Sequence, residues 1–149
     1  GADTVVELDG ELLGKPVDAA DAWRMLTALR GREHRVVTGI ALIDAATGEE
    51  RTAYRASRVD MRAYTEEEIE VYIASGDPFD KAGAYGIQDG DFSPAESLTG
   101  CYLNVVGLPL CLASRLLTET DSLAEMSDFL PLVCPGHDFL GHDYRGATP

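Results

Sequence analysis

Three short segments hold more polar residues and glycines than packing alone requires: Gly1-Ala2-Asp3-Thr4, Gly14-Lys15-Pro16, and the stretch from Asp77 to Gln88 that contains Asp80-Lys81-Ala82-Gly83-Ala84-Tyr85-Gly86. Asp3 stands before a hydrophobic run, where a carboxylate at a sheet edge can hold a divalent cation or take a proton from an attacking water. The same residue type also caps ordinary turns, so Asp3 by itself leaves both readings open. Lys15, fixed between Gly14 and Pro16, is a point charge on a stiff bend, suited to phosphate oxygens or simply to solvent. Lys81 lies next to Asp80 and among glycines, where an ammonium and backbone N–H groups can converge on an anion. The competing reading is a surface Asp–Lys pair of little energetic weight. Gln88 offers a carbonyl and an amide, enough for a paired hydrogen bond to the edge of a base, and otherwise reads as an exposed loop residue. Gly83 and Gly86 imply close approach of backbone to a ligand or to another strand, and spacing does not separate the two.

Other chemistries lack their signatures. Ser57, Ser75 and His34 have no nucleophile-elbow context, and neither a Walker A motif nor a G-x-G-x-x-G run occurs. Cys134, His137, Asp138, His142 and Asp143 cluster near the C-terminal end but without the paired spacing of structural zinc sites. Three cysteines, Cys101, Cys111 and Cys134, fit neither a disulfide framework nor a metal knuckle, which points to a reducing, cytoplasmic setting.

The elements that must position these residues follow from local pattern. Val5, Val6 and Leu8 form a strand, and Asp9-Gly10 turns the chain into a second short strand through Leu12 and Leu13. Asp18 caps a helix whose apolar residues Ala22, Met25, Leu26 and Leu29 recur at helical spacing, with Trp23 at its buried edge and Gly31 past its end. Residues 34–43 and 51–61 alternate as two long antiparallel strands around Thr47-Gly48. Thr65-Glu66-Glu67-Glu68 is a capping box that opens a helix with Ile69, Tyr72 and Ile73 on one face, stopped by Gly76. Residues 77–104 read as functional loops joined by short strands, and a last helix runs from about Leu108 to Leu117. Residues 119–149 read as a partly ordered tail with a helical turn near Leu123 to Leu130. The expectation is an α/β fold, a mixed twisted sheet flanked by helices, with one domain over residues 1–118 and the tail after it.

Composition bounds the function classes. At 45% hydrophobic and 26% charged residues the chain is of ordinary globular type, with no apolar run near the roughly 18 residues a membrane span needs. The formal net charge of −14 repels polyanions and argues against tracking a nucleic-acid backbone. A small phosphorylated ligand needs only local positive charge or a divalent cation, which the acidic field attracts.

Taken in order, Gly-Ala-Asp-Thr-Val-Val at 1–6, Leu-Gly-Lys-Pro at 13–16, Asp-Lys-Ala-Gly-Ala-Tyr-Gly-Ile-Gln at 80–88 and Asn-Val-Val-Gly-Leu-Pro at 104–109 resemble the Maf family of nucleoside triphosphate pyrophosphatases, over residues 1 to about 117. The resemblance implies a fold like that of inosine triphosphatases and hydrolysis of dTTP or UTP to the monophosphate and pyrophosphate, as house-cleaning of nucleotide pools. It further implies a divalent cation, Mg²⁺ or Mn²⁺, and a homodimer. By resemblance Asp3 is the proton acceptor and metal ligand, Lys15 and Lys81 are phosphate contacts, Asp80 belongs to the substrate-binding residues beside Lys81, and Thr4 and Gln88 bear on base choice. The family opens with a Ser-x-Ser-x-Arg-Arg unit that is not seen before Gly1, so the chain is expected to be the C-terminal part of a longer protein. Asp89 follows Gln88 where the family usually carries Gly, and residues 92–98 are more polar than its pattern. Both departures bear on base choice more than on reaction type. The competing class is a non-catalytic nucleotide-binding or cell-division interaction protein, or an inactive fragment.

Overall fold

The computed structural model describes residues 1–118. Its strands, β1 (Ala2–Leu8), β2 (Glu11–Leu13), β3 (Glu33–Ile43), β4 (Glu50–Met61) and β5 (Ala95–Thr99), form one sheet in the order β2-β1-β3-β4-β5. The helices are α1 (Ala19–Leu29), α2 (Glu66–Ser75), α3 (Tyr102–Val106) and α4 (Leu110–Thr118). A sheet flanked by helices is the α/β architecture expected.

Local chemistry accounts for most boundaries. Asp9 and Gly10 both take positive φ, 53° and 87°, the conformation a two-residue hairpin turn of the primed type demands. The hairpin then pairs Val6 with Leu13 and Leu8 with Glu11, antiparallel. Asp18 caps α1 by accepting from Asp21 N. Thr65 and Glu68 complete a reciprocal capping box on α2, and Gly76 ends that helix in the left-handed region at φ 87°. Asp44 ties the β3–β4 turn by accepting from Ala46 N and Thr47 N, which holds its carboxyl below the usual range.

By contact the chain divides into two compact units, and β1, β3 and β4 each contribute residues to both. Unit one comprises Gly1–Thr4, Val37–Ser57 and the described residues from Thr99 onward. Its core is Ile40, Leu112 and Leu116, with Leu42, Ala53 and Ala113 packed against them. Unit two comprises Val5–Val36 and Arg58–Leu98. There α1 buries Ala22, Met25, Leu26 and Leu29 and packs on α2, which buries Ile69 and Tyr72. Each such large side chain contributes roughly 1.5–3 kcal/mol on burial. Tyr64, 1% exposed, donates its hydroxyl to Leu26 O at 2.6 Å, which satisfies a polar atom in that core. Arg62 joins the end of β4 to the start of α2 and to the following loop, donating to Glu68 Oε1 and Phe92 O at 2.8 Å and to Ser93 O at 3.2 Å.

Two expectations need correction. The stretch expected to be loops and short strands over 77–104 holds two 3₁₀ turns, Asp77–Asp80 and Ala82–Ala84, one strand, β5, and the five-residue helix α3. The last helix starts at Leu110, not Leu108. Gly107 at φ 120° caps α3, and Pro109 lacks an N–H yet accepts from Leu112 N and Ala113 N, so it serves as the entry to α4. The tail from residue 119, its expected helical turn and the cysteine–histidine cluster lie outside the described residues.

Candidate functional site

Asp3 and Thr4 fall in unit one. Alternation along β1 sends their side chains to opposite faces. Asp3 is exposed, and its Oδ1 accepts from Thr4 N at 2.9 Å, which limits the rotamers of the carboxylate. It borders an open cavity of about 940 Å³ with Gly39, Ala41, Tyr54 and Arg115, a volume within the range of small-molecule sites. Thr4, half-buried, meets Thr38 Oγ1 at 2.9 Å and Gly107 O at 3.4 Å.

Behind Thr4 lies a polar network that sequence reasoning missed. Thr38 donates its hydroxyl to Asn104 O at 2.9 Å and its N–H to Asn104 Oδ1 at 3.2 Å. Asn104 Nδ2 donates to Ser57 Oγ at 2.9 Å, and Ser57 exchanges hydrogen bonds with Cys101 O and Cys101 N. Thr38 and Asn104 are fully buried. Gly100, at φ 118°, approaches so closely that a Cβ there would lie 2.9 Å from Ser57 Oγ. The partners stand 34 to 66 residues apart, so only the Asn-Val-Val-Gly-Leu-Pro segment at 104–109 hinted at the network.

Lys15, Asp80, Lys81 and Gln88 fall in unit two. Lys81 Nζ donates to Asp77 O at 2.8 Å and to Asp80 Oδ1 at 2.6 Å. That bond to Asp80 is the main reason its carboxyl sits below the usual range, with Lys15 adding a favourable field. Gly83 N donates to Gly14 O at 3.0 Å, so the 3₁₀ turns are tied to the bend that carries exposed Lys15. The structure therefore brings Lys15, Asp80 and Lys81 into one neighbourhood of mixed charge, and it places Gln88 on the continuation of the same loop. The two loop glycines separate in role. A Cβ at Gly83, φ 70°, would press on Val6 at 3.0 Å, whereas a Cβ at Gly86 would meet Lys81 Cε at 2.9 Å.

Around this loop the buried aromatics are hydrogen-bonded. His34 Nε2 lies 2.7 Å from Tyr85 Oη, and burial lowers the His34 pKa to about 4 against the opposing pull of Asp60. Burial also raises the Tyr85 phenol. Tyr72 stacks on Phe92 at 4.2 Å between centroids and accepts from Gly86 N at 3.2 Å. Desolvation pushes its pKa up to about 12.

Among the described residues no group of three or more His, Cys, Asp or Glu side chains gathers for a metal. Mg²⁺ and Mn²⁺ can bind through a single carboxylate while substrate phosphates and water fill the remaining positions, and Asp3 is an exposed carboxylate. No helix among the described residues is long and apolar enough to cross a membrane.

Within this α/β fold the residues singled out from the sequence lie on β1 in unit one, and on the Gly14–Pro16 bend and the loop after α2 in unit two. The chain belongs to the Maf-like protein family, whose model matches residues 1–120. Among similar proteins is the dTTP/UTP pyrophosphatase of Dehalococcoides mccartyi strain CBDB1, 49% identical over 118 residues, covering 79% of this chain and 53% of that protein. The dTTP/UTP pyrophosphatase of Dictyoglomus thermophilum is 50% identical over 80% of this chain and 62% of its own length. That of Thermomicrobium roseum is 50% identical over 89% and 61%. The chain thus spans between half and two thirds of the length of these relatives.

Proposed function

We propose that the chain serves hydrolysis of dTTP and UTP to the nucleoside monophosphate and pyrophosphate. The observation that carries this reading is 49–50% identity to proteins of that name over 118 to 136 residues, in a chain whose polar groups suit the chemistry. Asp3 accepts the proton of a water whose oxygen attacks the α-phosphorus. The bond from that phosphorus to the bridging oxygen breaks, and pyrophosphate departs with the electron pair. Thr4 N–H holds Asp3 Oδ1 and so keeps the carboxylate oriented for the transfer. Lys15 and Lys81 offset the charge that develops on the departing pyrophosphate, a role of positioning and electrostatics. Asp80 holds Lys81 in place. Asp3 is the residue here that would hold Mg²⁺ or Mn²⁺, which when bound supplies neutralisation of phosphate charge. Thr4, fixed through Thr38, and Gln88 bear on the choice of base.

The test is pyrophosphate release from dTTP and UTP by the product of the complete gene, with Mg²⁺ or Mn²⁺ and after chelation. Asp3→Asn keeps the shape and removes the proton acceptor, and kcat should fall by on the order of 10²–10⁴. Undiminished turnover in that variant removes Asp3 from the reaction. Nucleotide binding without turnover in the unaltered protein favours the non-catalytic class instead.

A further inference from the structure

We infer that Gly86 is a positioning residue for Lys81: its bare Cα forms the wall along which the lysine stem lies, and so sets where the ammonium is presented. This deepens the proposed function, and it rests on that reading for the role of Lys81. A Cβ built at position 86 falls 2.9 Å from Lys81 Cε and 3.1 Å from Cδ, and no other neighbour approaches as closely. Gly86, unlike Gly83, has no φ in the left-handed region, so backbone conformation does not demand glycine there. What demands it is the space taken by the lysine.

The wall is itself fixed. Gly86 N donates to Tyr72 Oη, and Tyr72 is held by its stack on Phe92. At the far end Lys81 Nζ is held by Asp77 O and Asp80 Oδ1. The lysine side chain is one-third exposed, at 34%, so a stem pushed off the wall swings toward solvent rather than into the core. The displaced atoms are the end of a flexible chain, and an alanine at 86 therefore moves the ammonium at little cost to the fold.

The experiment compares Gly86→Ala, Lys81→Ala and the double variant of the complete gene product, by melting temperature, by NMR titration of the Asp80 carboxyl, and by kcat and KM for dTTP with Mg²⁺. Gly86→Ala should raise the Asp80 titration toward the ordinary aspartate range, in the direction Lys81→Ala does. It should also lower kcat/KM about tenfold, within the losses known for misplaced binding groups. In the double variant the alanine at 86 should add nothing to Lys81→Ala. If Gly86→Ala alone fails to fold, truncating the lysine must restore folding to the level of Lys81→Ala. An Asp80 titration and kinetics in Gly86→Ala that match the unaltered protein, or a double variant that also fails to fold, overturns the assignment. Absence of pyrophosphate release from the unaltered protein refutes the functional reading alone, because the Asp80 titration reports the lysine's position without turnover.

Discussion

His34 shows how one buried residue imposes a pH dependence on a domain. It is 3% exposed, bonded through Nε2 to Tyr85, and its Nδ1 is buried with no hydrogen-bond partner among the described residues. A second proton would place a charge in a site largely shielded from solvent. Its pKa is therefore about 4 in the folded chain against an ordinary 6.5. A base with a depressed folded pKa lends stability above the unfolded value and loses it as pH falls, here from about 6.5 toward 4. At roughly 1.4 kcal/mol per unit the loss reaches on the order of 3 kcal/mol. The carboxylates held low in this structure, Asp44, Glu67, Glu68 and Asp80, lose their contributions at lower pH, so the window between about pH 7 and 5 isolates the histidine. His34→Gln should remove most of the fall in melting temperature over that window relative to the unaltered protein. An equal fall in both would assign the acid sensitivity elsewhere.

At the scale of elements, the best-specified segment is α2, whose start is set by two reciprocal bonds: Thr65 Oγ1 accepts from Glu68 N, and Glu68 Oε2 accepts from Thr65 N at 2.7 Å. Thr65→Ala should cost about 1 kcal/mol and lower the melting temperature by about 3–5 °C. A loss under about half a degree would mean the box is redundant with the Arg62–Glu68 contact. This helix, the Asp9-Gly10 hairpin and the Asp18 cap were legible in sequence because each signal is local, written within a few residues. What was not legible lacked such a signal. The 3₁₀ turns after Gly76 and the five residues of α3 are too short to show a period, so their glycines and polar residues read as loop. Asp3, Lys15 and Lys81 could be singled out by type and neighbours. Asn104, Thr38 and Ser57 looked like ordinary strand and loop residues, since their meaning lies in partners 34 to 66 positions away. Gly83 and Gly86 were indistinguishable in sequence, and only the folded chain sets one against a strand and the other against a lysine.

At the scale of the whole molecule the dominant quantity is charge. Twenty-six acidic residues face twelve lysines and arginines, so most carboxylates have no cation to pair with, however the surface is arranged. The pairs that do form, such as Arg24–Glu11 and Arg32–Asp9, are largely exposed and contribute at most about 1 kcal/mol each. Added salt weakens both these attractions and the general repulsion, and with a net charge of −14 the repulsion outweighs the attractions. Raising NaCl from about 10 to 150 mM shortens the screening length from about 30 to 8 Å, well inside the dimensions of a domain this size. The melting temperature should therefore rise by a few degrees over that range at about pH 7.5, and rise less at about pH 5, where partial protonation has reduced the negative charge. A fall with salt would mean that specific ion pairs outweigh the net field.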